Sequence, residues 1–258
     1  MILQRKSNAH WYTVAGVAQH TVIGANGEER STTLRDARKM NLLPSVTSIL
    51  NVISKPGLEF WKQEQAILAA LTLPRLDGED TDKFAARVVE DMEAQVEKAA
   101  SFGTLIHAGI EDINSRGSAA SFPPEIERWM DSYAAWRNAS LIRYLGSEEV
   151  AVGDGYAGRY DLLAEHAEHG VCLIDFKTQN MKGGKPNFYD AWCSQLAAYR
   201  KALGRTCHCL SVVLDSNQPS APVEKLWTDQ ELADGLEIFN CSKTIWFLQR
   251  GYAPSQSA

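Results

Sequence analysis

The stretch GRYDLLAEHAEHGVCLIDFKTQ, residues 158–179, sets two acids and a base close together. Asp161 falls in one predicted strand, and Asp175 and Lys177 close the next. Side chains two apart on a strand share a face, so Lys177 lies beside Asp175. Two carboxylates meeting at neighbouring strand ends repel each other, which costs stability unless a cation sits between them. Hard oxygen ligands around an open position suit Mg²⁺ or Mn²⁺. A lysine beside such an ion can orient or activate a water and steady the charge that builds on a phosphate. The chemistry this constellation fits is hydrolysis of a phosphodiester.

A further ligand candidate lies upstream, in GTLIHAGIE. Gly103, His107 and Glu111 fall at i, i+4 and i+8 on one predicted helix face, while Ile106, Ile110 and Ile113 form a neighbouring apolar face that would pack inward. Spacing alone leaves His107 open between a ligand and an idle surface imidazole.

The elements that must position these groups fall into two styles. Residues 9–24 read as a hairpin or a pair of short strands, followed by a polar turn at GANGEER. LLPSVTSILNVI offers Ser45 or Thr47 as a helix cap, Pro56 starts another helix, and the pattern from about Lys83 to Asn114 is helical. The acids of DGEDTDKFAARVVEDMEAQVEK make a solvated helix face. EIERWMDSYAAWRNAS is a further amphipathic helix. Then EEVAV, YAGRYDLLAE and VCLIDF read as three strands of an antiparallel meander. NFYDAWCSQLAAYRKAL is a helix, CHCLSVVLD a buried strand, PVEKLW a short strand, and a closing helix is capped by Thr228. The expected fold class is α/β, an αβββαβ unit with a helical N-terminal part on it.

The order Gly103-Thr104 with His107, Gly158 with Asp161, Asp175 with Lys177, and Gln195 with Tyr199 resembles the RecB-like branch of the PD-(D/E)XK nucleases. PSVTSIL followed by LEFWKQE is also similar to the mitochondrial genome maintenance exonuclease group and its bacterial and phage relatives. The resemblance covers most of residues 44–203. It implies a restriction-endonuclease-like core with a mixed central sheet, in one nuclease domain over 1–258. Within that domain residues 1–100 would be the N-terminal hairpin and helical part, packed on a core of residues 101–258. It implies His107, Asp161, Asp175 and the main-chain carbonyl of Phe176 as ligands of one or two Mg²⁺ or Mn²⁺ ions. Lys177 would be the catalytic lysine, with Gln195 and Tyr199 facing the site from one helix. Many such proteins carry another acid on the first strand, where Glu149 is preferred narrowly over Glu148. The activity implied is that of a DNA nuclease, an exonuclease on single strands or ends, in recombination, repair or replication. Two other readings stay beside it: a non-catalytic DNA-binding accessory protein on a nuclease fold, and a structure- or sequence-specific endonuclease. Some relatives hold an iron–sulfur cluster; with no Cys before Cys172, none is expected here.

Composition narrows the partners. The 258 residues are 45% hydrophobic and 22% charged, with a net charge of −6, so a nucleic-acid surface must be a local patch. Lys177, Lys182 and Lys185 supply one in KTQNMKGGKPN, and Arg200 follows on the next helix. Trp61, Trp129 and Trp136 could stack on bases, but their helical spacing favours core packing. No stretch could span a bilayer, and no signal peptide is expected. Five cysteines without a C-x-x-C pair suit a reducing setting, the cytoplasm of a bacterial or phage-infected cell. Cys207 and Cys209 are expected in the core rather than on a metal. With no ATP-binding G-x-x-x-x-G-K-[ST] motif, any helicase or recombination partner would be a separate chain.

Overall fold

Short strands open the fold in the computed structural model, which describes residues 10–117 and 120–255. Strand β1 (Trp11–Tyr12) pairs antiparallel with β4 (Leu43–Pro44), and β2 (Thr21–Ile23) pairs with β3 (Glu29–Ser31). Between them lies α1 (Leu34–Met40), which the sequence reading missed. Its Thr33 accepts from the Asp36 amide and the Asp36 carboxylate accepts from Thr33, a reciprocal cap that starts a helix inside a polar run. Ser45 caps α2 (Val46–Leu50), its hydroxyl accepting from Ser48 N.

Two long helices follow, α3 (Pro56–Thr72) and α4 (Thr81–Arg116). They pack on each other. The buried residues of α4 are confined to Ile106, Gly109, Ile110 and Ile113, and α3 buries only Ala69. So only the last part of α4 belongs to the core, against α5 (Glu127–Ser140) and the sheet. Trp129 and Trp136 of α5 pack there too, as their spacing suggests.

The sheet is mixed. Its strands are β5 (Leu141–Ser147), β8 (Leu162–His166), β9 (Gly170–Gln179), β10 (His208–Asp215) and β11 (Val223–Trp227), in the spatial order β11-β10-β9-β8-β5. All pairs are antiparallel except β9 with β10, which run parallel because α6 (Asp190–Leu203) carries the chain across. The closing helix α7 (Asp229–Arg250), capped by Thr228, packs with α6 on one face; α4 and α5 cover the other. No helix among the described residues is long and apolar enough to cross a membrane.

The α/β class with a mixed sheet and helices stands, but the three-strand meander is corrected. YAGRYDLLAE is broken at Tyr160–Asp161. Its first half is β7 (Tyr156–Arg159), which pairs with β6 (Val150–Gly153) in a separate two-stranded hairpin; its second half is β8. The edge strand beyond β8 is β5, from LIRYLGS, which follows α5 with no Gly or Pro to announce it.

Candidate active site

The pairing of β8 with β9 ends at Leu162 opposite Ile174. Phe176, two residues on, therefore has no strand partner on that edge. The Asp161 carboxylate takes the place of one: its Oδ2 accepts from Phe176 N at 2.7 Å. In an extended strand a residue's N–H and C=O share an edge, so the Phe176 carbonyl faces the same gap. The main chain of Asp161 is held as well, its carbonyl accepting from Glu148 N (3.0 Å) and Ser147 Oγ (3.2 Å).

Alternation along β9 sends Ile174 and Phe176 into the α4–α5 layer, and Leu173, Asp175 and Lys177 to the face under α6. Asp175 is 2% exposed. Lys177 Nζ lies 2.7 Å from its Oδ1 and 2.6 Å from its Oδ2, and Gln195 Nε2 donates to Oδ1 at 3.1 Å. Asp175 Oδ2 nevertheless receives no well-aligned hydrogen bond, which leaves a buried carboxylate oxygen able to accept a cation. Burial pushes the Asp175 carboxyl up to about 6; Lys177 opposes the rise and Asp161 adds to it.

Gln195 and Tyr199 both face this spot from α6. Gln195 also reaches Lys177, Nζ to Oε1 at 3.5 Å. Tyr199 is buried, hydrogen-bonded to Gln195, and its phenol is held well above its ordinary value by burial and by the charges of Asp175 and Asp161. Its ring fills the space beside Gly158, where a Cβ would stand 2.7 Å from Cε1. Gly158 is thus a packing requirement of the Gly-x-x-Asp turn. Gly103 serves α4 the same way: a Cβ there would meet Thr178 Oγ1 of β9 at 3.1 Å, so the bare glycine lets the helix carrying His107 come close to β9.

His107 Nδ1 lies 3.7 Å from Asp161 Oδ2. The acid that joins them is Glu148, not Glu149: ligand atoms of His107, Glu148 and Asp161 all lie within 4.8 Å of one another. Glu148 adopts a left-handed backbone with φ +53°, which breaks the strand alternation and turns Glu149 the other way. Glu149 instead accepts from Tyr160 Oη at 2.7 Å. The Glu148 side chain is 16% exposed. Burial pushes its carboxyl up to about 7; Asp161 and Glu111 add to the rise, and Arg159 opposes it. A divalent cation fits this set. It would compensate the Glu148 and Asp161 carboxylates, which otherwise rely on Arg159, on His107 and on the Phe176 amide. Asp175 lies outside the 4.8 Å triad, tied to Lys177.

The expected DNA-contacting groups separate. Lys185 is exposed on the loop after β9. The Lys182 side chain lies outside the described residues. Arg200 is not brought to this face: it pairs with Asp229 at 3.0 Å, beside Cys207. That is the far end of β10, where His208 stands opposite Cys172 while Val213 stands opposite Lys177. Cys207 and Cys209 are buried. Two basic residues were missed. Lys55, just ahead of the Pro56 helix start, has its ammonium held below its ordinary value by partial burial and by Lys177, which marks it as a neighbour of the site. Arg159 sits within Gly-Arg-Tyr-Asp and pairs with Glu148, its Nε 2.7 Å from Oε2.

No protein-family model matches the chain, and no curated protein does. Solved structures do align with it, three among them as follows. An alkaline exonuclease from Laribacter hongkongensis (LHK-Exo) is 17% identical at a TM-score of 0.32, over 50% of this chain and 68% of that one. A structure titled SSO0001 is 14% identical at 0.33, over 74% and 87%. LHK-Exo in complex with dAMP is 14% identical at 0.34, over 73% and 88%.

Proposed function

We propose that the chain is a divalent-metal-dependent deoxyribonuclease of the PD-(D/E)XK type, acting as an exonuclease on single strands or DNA ends. The observation that carries this reading is the convergence of Asp175, Lys177 and Gln195 with the His107–Glu148–Asp161 triad at the end of the β8–β9 pairing. His107, Glu148, Asp161, Asp175 and the Phe176 carbonyl would hold one or two Mg²⁺ or Mn²⁺ ions. When bound, such an ion supplies Lewis-acid polarisation of a phosphate and a water of lowered pKa.

The protein's own groups do the rest. Lys177 brings a positive charge to the face where the phosphate would lie, and it steadies the charge that builds there in the transition state. Asp175 and Gln195 fix its ammonium, which keeps that charge from wandering. Tyr199, kept protonated, packs the Gln195 helix against the Gly158 turn and so holds the two halves of the site in register. Lys55 and Lys185 supply positive charge on either side for a DNA backbone. The substrate is thus DNA, and any helicase or recombination partner is a separate chain.

The test uses end-labelled single- and double-stranded DNA with Mg²⁺ or Mn²⁺, with and without EDTA. Cleavage should require the ion, release short products from ends, and disappear in Lys177→Ala. Cleavage that persists in EDTA, or that Lys177→Ala retains, would overturn the assignment.

A further inference from the structure

The geometry points to Arg159 as a positioning residue that orients the Glu148 carboxylate toward the His107–Asp161 pair and thereby sets the affinity of the site for a divalent cation. The inference rests on the metal-site reading above and goes beyond it, because Arg159 touches neither substrate nor ion.

Glu148 is fixed from two sides. Its backbone is strained, with φ +53° in a residue that has a Cβ, and its N–H is tied to the Asp161 carbonyl at 3.0 Å. That places the start of the side chain but not its end, which still has three torsions to settle. Arg159 settles it: Nε stands 2.7 Å from Oε2, so that one oxygen is committed and Oε1 is left over. Arg159 is itself braced. It lies on β7 opposite Val150 of β6, and its main-chain N–H donates to the phenol oxygen of the buried Tyr12 of β1. The Arg159 side chain is 58% exposed and fills no core space, so its removal leaves the fold intact. The small N-terminal unit of β1 and β4 thus acts on the site through one arginine.

The sign of the effect separates positioning from plain electrostatics. A guanidinium near a cation site repels the cation, so deleting it should tighten metal binding if charge alone mattered. If Arg159 orients a ligand, deleting it should weaken binding, by about 10–100-fold as for other outer-shell partners of metal ligands.

Mn²⁺ binding to the full chain, measured by calorimetry and by the loss of the free-ion paramagnetic resonance signal, decides it without any turnover. Arg159→Ala should bind Mn²⁺ about 10–100-fold more weakly with an unchanged melting temperature in EDTA. Arg159→Lys, which can still reach Oε2, should recover most of the affinity. In a Glu148→Ala background, Arg159→Ala should produce no further loss, since its route is gone. Affinity that is unchanged or tighter in Arg159→Ala overturns the inference, and so does a loss that adds in full to that of Glu148→Ala. Asp161→Ala reports on the underlying reading separately. If it binds Mn²⁺ as the wild type does, the metal site itself is misassigned, whatever Arg159 does.

Discussion

Replacing Glu148 by Gln should stabilise the metal-free protein at pH 8 and do so far less at pH 5. The Glu148 carboxyl is held near 7 in the folded state against an ordinary 4.5, mainly by burial. Between those values the unfolded chain has already released the proton that the folded chain retains. Stability therefore falls as pH rises from about 4.5 to about 7, and the whole cost is present above that window. The rise of about 2.5 in pKa corresponds to a ceiling of about 3 kcal/mol. For a chain of this size that is a gain of about 6–10 °C in melting temperature for Glu148→Gln at pH 8. His10 and His20, held below their ordinary value chiefly by burial, act in the opposite sense, gaining stability as pH rises toward about 6.5 and no further above it. They are common to both proteins and cancel in the difference. Thermal scans in EDTA at pH 5 and pH 8 give that difference directly. Saturating Mn²⁺ should then reverse the order at pH 8, because the wild-type carboxylate gains a counter-ion that the amide cannot use in the same way. An advantage of Glu148→Gln that is equally large at pH 5, or absent at pH 8, would refute the placement of this carboxylate in the site.

Asp175→Asn should abolish cleavage yet cost less than about 1 kcal/mol in urea denaturation, since burial holds this carboxyl above its ordinary value in spite of the Lys177 pair, so the ionised form adds little net stability; a collapse of the fold would show that the Lys177 pair is structural. Gly158→Ala should cost about 1–3 kcal/mol by driving a methyl into the Tyr199 ring, and an unchanged urea midpoint would mean α6 can back away freely. Lys185→Ala should lower the salt slope of DNA binding by up to about one unit, while Arg200→Ala should leave it alone. Anisotropy titrations at several salt concentrations check both, and a larger effect from Arg200 would move the DNA path to the Asp229 end of the sheet.

What was legible in the sequence was local and periodic. Period two put Asp175 and Lys177 on one face, and helical spacing separated the buried Ile106 and Ile110 from His107. Ser45 and Thr228 announced their helices by chemistry alone. Two of the misplacements arose where a side chain replaced a backbone partner or a single residue left its regular conformation. Asp161 stands in for the strand residue that would have faced Phe176, so one apparent strand became two. Glu148 is left-handed, so strand alternation carried through it could not have told which of the two competing acids, Glu148 or Glu149, faces His107. Arg200 could have been excluded at the outset: it is five residues from Gln195, about 140° around a helix, and so cannot share its face. The reciprocal cap of Thr33 and Asp36 was readable too, but it lies in a run too polar to suggest a helix by its apolar pattern.

The length of α4 gives its amides two different lives. Thirty-six residues make a rod of about 54 Å, yet every buried position on it lies between Ile106 and Ile113. Amides of the first five turns are guarded only by the helix itself and by α3, so their exchange with deuterium follows local fraying. Amides around His107 open only when the sheet beneath them does, and their exchange tracks global unfolding. The imidazole therefore stands just past the boundary between a rapidly exchanging segment and a slowly exchanging one. Gly103, in contact with Thr178, marks that boundary on the chain.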